Sequence, residues 1–327
     1  MAVFITGAAG FIGASLASRF SQQGYEVIAC DYKEPEGDIK DSFRNVFAFE
    51  KCDVRDGPKV SSLLKKAAPN DAIIHLAGLL TTGSESDPNA AIDVNVKGFR
   101  HVLDAARAAG CMRVILASTI GVYGRGLKQP IDETMKTEPD GWYGYTKKMS
   151  ELMGLLYVRK YGMDFRAVRL AAVTGTGRSA GSGSASLFTS FIPEKAALGL
   201  PYEIEVTSDT AYPVVYIKDA VEALFVLATA KTAARRIYNV CSGRIIVSEM
   251  IDYVKQLCPL AQFSFNPNPE IMSVVNGYKD WHIACSRIYE DLGWKPQYGV
   301  NRMIDDIIET TKRTKVNGVH SVDSRPE

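Results

Sequence analysis

The chain has 327 residues, of which 46% are hydrophobic and 23% charged, a composition typical of a globular protein with a sizeable core. Its formal net charge is +1, from 38 basic and 37 acidic residues, which favours neither nucleic acid nor an anionic membrane as a partner. The cysteines form no Cys-x-x-Cys pair and no Cys/His cluster with zinc spacing, so no metal site is expected. Cysteines in apolar runs indicate reduced thiols and weakly favour a cytoplasmic location.

Short apolar runs alternate with longer amphipathic segments through the first half of the chain. Strands are predicted at 2–6, 26–31, 47–51, 71–77, 113–118 and 164–170, and helices at 11–23, 59–67, 89–109 and 143–161. This alternation predicts an α/β fold, a Rossmann-type doubly wound parallel sheet covered on both faces. A strand that starts at residue 2 leaves no room for a signal peptide, and no apolar run approaches the roughly 18 residues that span a bilayer.

The pattern changes after residue 173. The segment 174–186 is rich in glycine, serine and threonine, and a loop of that length is usually functional or mobile. We predict a Rossmann domain over 1–173, with returning segments at about 213–244. A smaller α/β substrate domain is predicted over 174–212 and 245–313, and a loose tail over 314–327.

Three glycines lie directly between the first strand and the first helix. Gly7 allows a tight turn, Gly10 lets the backbone approach a pyrophosphate, and Gly13 lets helix and strand pack closely. The helix N-terminus then offers free amides and a partial positive charge to phosphates. The spacing favours a dinucleotide site, although glycines at such a turn also serve the turn alone.

Asp31 ends the second strand and strengthens the case for a dinucleotide. A carboxylate at this place accepts hydrogen bonds from both ribose hydroxyls and repels a 2′-phosphate, so we predict NAD rather than NADP. Asp53 is expected near the adenine amino group, and Asn95 is expected either as a polar anchor or as a satisfied buried amide. The remaining predicted contacts follow the third and fourth strands: Val54, Leu76, Ala77 and Gly78.

Tyr143 and Lys147 are four residues apart at the start of a predicted helix, so their side chains share one face. At an effective dielectric near 20, an ammonium about 5 Å away stabilises the phenolate by roughly 3 kcal/mol, which corresponds to a phenol pKa lower by about two units. The spacing therefore predicts that Lys147 lowers the pKa of Tyr143 until it acts as a general base. Ser118 and Thr119 close the fifth strand, where a hydroxyl could hold the substrate oxygen.

The motifs together resemble those of the extended short-chain dehydrogenases/reductases. The resemblance rests on these segments, in chain order: Thr6–Gly13, Asp31, Asp53-Val54, His75–Gly78, Asn95–Gly98, Ala117–Gly124 and Tyr143–Lys147. It implies a bound NAD, with Phe11 and Ile12 among its contacts, and a catalytic triad of Thr119, Tyr143 and Lys147, with Ser118 as neighbour. It also implies a homodimer formed through a four-helix bundle of the helices at about 89–109 and 143–161.

Departures from the family patterns argue against two of the reactions that the family catalyses, sugar dehydration and nucleotide-sugar epimerisation. Ile120-Gly121 stands where sugar dehydratases have Asp-Glu, and the stretch 209–219 lacks the arginine with which epimerases hold a diphosphate. The segments 213–219 and 181–188 instead resemble those of short-chain L-threonine 3-dehydrogenases and, for the second, also D-erythronate-type dehydrogenases. Candidates for the polar end of the substrate are Thr81, Arg178 and Ser186.

The predicted function is the NAD-dependent oxidation or reduction of a secondary hydroxyl on a small polar substrate. That substrate is expected to be a hydroxy acid, an amino acid such as L-threonine, or a sugar acid. Two alternatives stay open. An NAD-dependent nucleotide-sugar 4-epimerase would keep its cofactor and release no NADH. A non-catalytic NAD-sensing protein would have no use for the pair formed by Tyr143 and Lys147.

Overall fold

The computed structural model describes residues 1–35, 43 and 46–316. The strands are β1 (Ala2–Thr6), β2 (Glu26–Asp31), β3 (Ala48–Lys51), β4 (Ala72–His75), β5 (Arg113–Thr119), β6 (Asp164–Leu170), β7 (Ala172–Thr174), β8 (Tyr202–Ile204), β9 (Ala211–Tyr216), β10 (Ile237–Val240), β11 (Gly243–Ile246) and β12 (Phe263–Phe265). The α-helices are α1 (Phe11–Gln22), α2 (Gly57–Leu64), α3 (Thr81–Ser86), α4 (Pro88–Ala91), α5 (Phe99–Ala109), α6 (Trp142–Tyr161), α7 (Phe188–Leu198), α8 (Ile217–Thr229), α9 (Val247–Leu257), α10 (Pro269–Val275), α11 (Ser286–Leu292) and α12 (Val300–Val316).

The main sheet has seven parallel strands in the order β10-β6-β5-β4-β1-β2-β3. This order confirms the predicted Rossmann-type α/β fold. The chain reverses its direction of travel across the sheet between β1 and β4. Such a switch point leaves a crevice at the carboxyl ends of the strands, which is where ligands bind in open parallel sheets.

Alternate residues of β1 show why the sheet needs helices on both faces. Val3 and Ile5 pack into a core shared with Leu16 and Phe20 of α1, whereas Phe4 packs on the opposite face with residues of α2 and α5. Side chains point alternately to the two faces of a strand, and burying one of this size stabilises the fold by roughly 1.5–3 kcal/mol. Strands apolar on both faces therefore require two covering layers.

The later part of the chain builds two smaller sheets. In the first, β9 pairs in parallel with β7 and antiparallel with β11, and in the second β8 pairs with β12. Within the predicted returning segment 213–244, β10 joins the main sheet beside β6, but β9 belongs to the smaller one. The domain limits themselves stay predictions. Helix α12 extends to Val316, past the predicted start of the tail, and 317–327 lie outside the described residues.

The single helix predicted over 89–109 is built from three pieces. A π-helical segment, Ile92–Gly98, separates α4 from α5. Within it Gly98 packs so closely on Val54 that a Cβ would lie 2.7 Å from a methyl group of that side chain. Periodicity of apolar residues does not distinguish such a local widening from a regular helix. Over the described ranges, no helix has the length and apolar character required to cross a membrane.

Candidate active site

The turn between β1 and α1 has room only for glycine at two of its positions. Gly7 adopts a φ of +71°, and a Cβ there would lie 2.5 Å from the amide nitrogen of Ala77. A Cβ on Gly13 would lie 2.2 Å from the carbonyl oxygen of Gly7. Gly10 precedes α1 and supplies no side-chain cap, so the first-turn amides face the crevice uncapped. This cradle fits the pyrophosphate of a dinucleotide.

Asp31 lies at the end of β2, beside this turn, and is buried. Its carboxylate accepts hydrogen bonds from the amides of Ala9 at 3.0 Å and Lys33 at 3.4 Å. Burial raises the pKa of Asp31, and the bonds from these amides oppose that shift. The carboxylate is thereby fixed next to the glycine turn, where the ribose of a bound NAD would lie.

A cleft of about 260 Å³ opens at the carboxyl ends of the main-sheet strands. The structure gathers most of the predicted site residues there: Gly7, Gly10, Phe11, Ile12, Gly13, Leu76, Gly78, Thr81, Ser118, Thr119, Tyr143, Lys147, Arg178 and Ser186. The other predicted residues, Asp31, Asp53, Val54, Ala77 and Asn95, do not line the cleft. Residues from distant parts of the sequence therefore meet at one place, as the fold requires.

Asp53 and Val54 have local partners. The Asp53 carboxylate accepts from the Arg55 guanidinium at 2.6 and 3.0 Å, and hydrogen bonding to Arg55 lowers the pKa of Asp53 despite partial burial. Val54 is buried against Gly98. A contact between Asp53 and the adenine stays a prediction, and it would have to be shared with Arg55.

Asn95 is the satisfied buried amide that the sequence left open as an alternative. Its side-chain oxygen accepts from the amide of Leu79 at 2.7 Å, and its nitrogen donates to the Leu79 carbonyl at 3.0 Å and to Thr146 at 2.9 Å. It fixes the strand-end segment that carries Gly78. A Cβ on Gly78 would lie 3.1 Å from the Lys147 amine, so that segment closes directly over the lysine.

Helix α6 presents Tyr143 and Lys147 on the same face, as predicted. Lys147 is only 3% exposed, donates to the carbonyl of Ala117 at 3.0 Å, and has its Nζ 5.9 Å from the centre of the Tyr143 ring. Burial lowers the pKa of Lys147 to about 8. Burial also raises the pKa of Tyr143, and the neighbouring phenol of Tyr278 adds to the rise.

The expected lowering of the Tyr143 pKa by Lys147 is therefore wrong for the site as it stands. Desolvation of the phenol is the largest cause of the rise in its pKa, and Lys147 donates its hydrogen bond to a main-chain carbonyl instead of to the tyrosine. The spacing of the two residues indicates the charge pair, but it carries no information about the burial of both groups. Tyr143 is consequently a protonated phenol at neutral pH in this arrangement.

The adjacent hydroxyls Ser118 and Thr119 point in different directions because successive side chains of a strand face opposite sides. Ser118 is buried and donates to Glu151 at 2.7 Å. Glu151 is itself held by Arg169 through contacts of 2.8 and 2.9 Å. Thr119 accepts from the amide of Gly121 at 3.1 Å, and among the described residues no group accepts its hydroxyl hydrogen. Thr119 is thus the better placed of the two to bind a substrate oxygen.

Arg178 lines the cleft from the glycine-rich loop between β7 and α7. Its guanidinium donates to the carbonyl of Ser186 at 3.0 Å and to the hydroxyl of Ser184 at 2.6 Å. Burial lowers its pKa to about 10, so it stays charged at neutral pH. Within the described ranges no carboxylate lies in ion-pair distance of it; Glu194 acts on it only through space, and burial raises the pKa of Glu194 to about 7.

Two further tyrosines line the cleft that motif reasoning did not find. Tyr212, on β9, and Tyr278, after α10, lie with ring centres 5.0 Å apart. Both come from the later segments of the chain, where no short motif marks them.

His75 does not take part in the cleft. It is buried, its Nδ1 lies 2.8 Å from the Thr6 hydroxyl, and burial lowers its pKa to about 3, so it is neutral. It is a buried core residue at the end of β4. Across the part of the chain that the structure describes, no cluster of His, Cys, Asp or Glu is arranged to hold a metal ion.

The model of the NAD-dependent epimerase/dehydratase family matches residues 3–241 of this chain. The chain belongs to this family. The match covers the glycine turn, the triad positions and the loop that carries Arg178. Extended short-chain dehydrogenases of this family use NAD, as the glycine cradle and Asp31 indicate, and the chain is an NAD-dependent enzyme of that type.

Similar proteins align with almost the whole length of this chain. Mitochondrial L-threonine 3-dehydrogenase of Bos taurus is 27% identical over 316 residues, 94% of this chain and 81% of its own. An uncharacterized epimerase/dehydratase of Staphylococcus saprophyticus is 28% identical, covering 96% of this chain and 99% of its own. These identities support the family and leave the substrate of this chain open.

Solved structures show the same architecture. L-threonine dehydrogenase of Clostridium difficile superposes with a TM-score of 0.87 at 25% identity, covering 98% of this chain and 99% of its own. A UDP-glucose 4-epimerase of Thermotoga maritima superposes with a TM-score of 0.84 at 23% identity, covering 96% of this chain and 100% of its own, which shows the fold alone.

Proposed function

We propose that this enzyme interconverts a secondary hydroxyl and a ketone on a small polar substrate that carries a carboxylate. The substrate class is a hydroxy acid, an amino acid such as L-threonine, or a sugar acid. One observation supports this most strongly. A single cleft holds Tyr143 and Lys147, the hydroxyl of Thr119, and the guanidinium of Arg178, all beside the glycine turn.

Each side chain has a distinct task in this proposal. When bound, NAD supplies the acceptor for the hydride that leaves the carbinol carbon. Thr119 donates to the substrate oxygen and positions it against Tyr143. In the direction of reduction the protonated phenol gives its proton to that oxygen, and in the direction of oxidation the phenolate takes the hydroxyl proton after the phenol has released its own. Lys147, with a pKa of about 8, is mostly protonated at neutral pH and stabilises the negative charge that develops on the phenol.

Arg178 provides the reason to expect a carboxylate on the substrate. A half-buried guanidinium with no carboxylate partner among the described residues gains strongly from an anion, and a carboxylate matches its planar donors. Ser184 and Ser186 already orient it. Thr81, in the cleft wall on α3, is the proposed second polar contact.

The outer face of α6 supports the proposed homodimer. Trp142, Tyr145, Met149, Leu152 and Leu156 recur at helical spacing, and each is between 37% and 53% exposed. An apolar stripe of this length on one helix is typical of an interface. The second copy would place its own α6 against it. The cellular compartment stays a prediction from cysteine content.

The test is NAD reduction by purified protein across a panel of L-threonine, hydroxy acids and aldonates. We expect net NADH formation with at least one member, and a loss of about 10²–10⁴-fold in kcat for Tyr143→Phe with NAD affinity retained. Wild-type turnover in Tyr143→Phe would contradict the assigned role. A nucleotide-sugar epimerase would instead interconvert UDP-hexoses without releasing NADH.

A further inference from the structure

A second cavity, of about 180 Å³, also borders Tyr143, and none of the glycines of the β1–α1 turn lines it. We name it the side cavity; it is bordered by α3, the segment between β5 and α6, and the end of α10. Thr81, Tyr143 and Tyr278 line both this cavity and the reaction cleft. Tyr143 therefore borders two adjacent spaces, the reaction cleft and the side cavity.

The wall of the side cavity mixes hydrogen-bond donors with acceptors. At its rim Arg125 pairs with Asp140 at 3.3 Å and donates to the carbonyl of Ser273 at 3.2 Å. Glu85 forms no ion pair among the described residues and accepts only a long bond of 3.4 Å from the amide of Tyr143. Burial raises the pKa of the Tyr278 phenol to about 12, so it remains a donor.

The floor of the side cavity is aromatic. Trp281 is 5% exposed, and its ring centre lies 4.6 Å from that of Tyr278. Amphipathic rings of this kind pack against C–H groups while neighbouring polar groups bond to hydroxyls. The side cavity therefore offers an apolar floor and a polar rim in one small volume.

Two glycines lie in the wall of the side cavity in tight contact with its lining side chains. A Cβ on Gly121 would lie 3.1 Å from the Tyr278 hydroxyl, and a Cβ on Gly277 would lie 3.3 Å from Nε of Arg125. Either Cβ would require that side chain to shift by a few tenths of an ångström. Glycine at these two positions therefore lets Tyr278 and Arg125 hold their present places in the wall.

We propose that the side cavity binds a hydroxylated chain attached to the reacting carbon, which makes a sugar acid the preferred substrate class. Hydroxyl groups both donate and accept, so a polyol matches the guanidinium, carboxylates and phenol of this wall together. Arg178 then binds the carboxylate in the reaction cleft, and the rest of the chain passes Tyr143 into the side cavity. This inference rests on the proposed function, because it assigns the second half of the same substrate.

The experiment compares substrates of different length in matched variants. L-threonine and 3-hydroxybutyrate serve as short substrates, and gluconate, galactonate and mannonate as long ones. Val274 lines the side cavity, so Val274→Phe fills it. Ile271, one turn earlier on α10, does not line it, so Ile271→Phe is the matched control.

We expect the best long substrate to exceed the short ones in kcat/KM by about tenfold or more. Val274→Phe is expected to lower kcat/KM for the long substrate by about tenfold and to leave the short ones unchanged, whereas Ile271→Phe affects neither. Equal losses for long and short substrates in Val274→Phe, or a preference for short substrates, would overturn the assignment.

A binding measurement separates this inference from the proposed function. If the wild type reduces NAD with no member of the panel, the proposed function fails. Calorimetric titration of each aldonate into the NAD-loaded protein then tests the side cavity alone. Binding that Val274→Phe weakens and Ile271→Phe leaves intact supports the subsite, and absence of binding, or equal binding by all three proteins, refutes it.

Discussion

At the scale of single residues, the buried ammonium of Lys147 opposes folding while it serves the site. Burial lowers its pKa from an ordinary 10.5 to about 8. Below pH 8 both folded and unfolded chains carry the proton, so the full burial penalty is present. Between these two pKa values the unfolded chain keeps a proton that the folded protein has released, so stability rises with pH through this window.

This sign gives a prediction for Lys147→Met. Relative to the wild type, the variant is expected to gain stability at pH 7 and to lose that advantage by about pH 10, the change approaching about 3 kcal/mol. The measurement is urea unfolding of both proteins at the two pH values. A stability difference that does not change with pH would contradict the buried charge.

Ser118 and Thr119 provide a second prediction, because the strand separates their hydroxyls. Thr119→Val is expected to lower kcat by about 10²-fold and to cost about 1 kcal/mol of stability at most, because the Gly121 amide loses its acceptor. Ser118→Ala removes a hydrogen bond to the buried Glu151 and is expected to cost about 1–3 kcal/mol of stability with a smaller effect on kcat. Steady-state kinetics and unfolding midpoints of both variants test this division of roles. A larger loss of kcat in Ser118→Ala and a larger loss of stability in Thr119→Val would contradict it.

At the scale of elements, the turn between β1 and α1 uses glycine for two purposes: Gly13 allows close packing, and Gly10 leaves room for the cofactor. A Cβ at Gly13 meets backbone at 2.2 Å, but one at Gly10 has 3.2 Å to its nearest neighbour and a φ of −82°. We expect Gly13→Ala to unfold or strongly destabilise the protein, and Gly10→Ala to fold but bind NAD more weakly. Circular dichroism and NAD titration test this pair; a stable Gly13→Ala with wild-type affinity would show that the packing at the turn is misassigned.

The elements also show what sequence could and could not supply. The glycine turn, Asp31 and the pair on α6 are local patterns, so spacing alone placed them. The orientation of Ser118 depends on Glu151 and Arg169, which come from other elements. Local patterns in the sequence do not reveal such distant partners, and they do not reveal how burial changes the pKa of Tyr143.

At the scale of the whole molecule, tertiary folding decides the composition of the cleft. Tyr212 and Tyr278 reach it from separate segments beyond the Rossmann motifs, and no short-range signal marks either. The parallel, doubly wound character of the main sheet, by contrast, followed from alternating strands and helices. The fold class could therefore be predicted from the sequence. Of the residues on the substrate side of the cleft, Arg178 and Ser186 were predicted, whereas Tyr212 and Tyr278 were not.

The exposed stripe on α6 gives a prediction at this same scale. Leu152→Glu places a charge in the middle of the proposed interface and is expected to shift the protein from dimer to monomer. Lys160→Glu, on the exposed end of the same helix, is the matched control and is expected to leave the dimer intact. Sedimentation equilibrium measures the mass, and a wild type that is monomeric at all concentrations would rule out the interface.

The central claim is that Tyr143 removes a hydroxyl proton while the carbinol hydrogen passes to NAD and leaves with it. The most direct test uses the best substrate of the panel, deuterated at its carbinol carbon, with mass spectrometry of the nucleotide released to solution. We predict stoichiometric deuterium in the released reduced NAD from the wild type and little from Tyr143→Phe. Released nucleotide without deuterium, or a product that recovers its deuterium while no reduced NAD is released, would contradict the account.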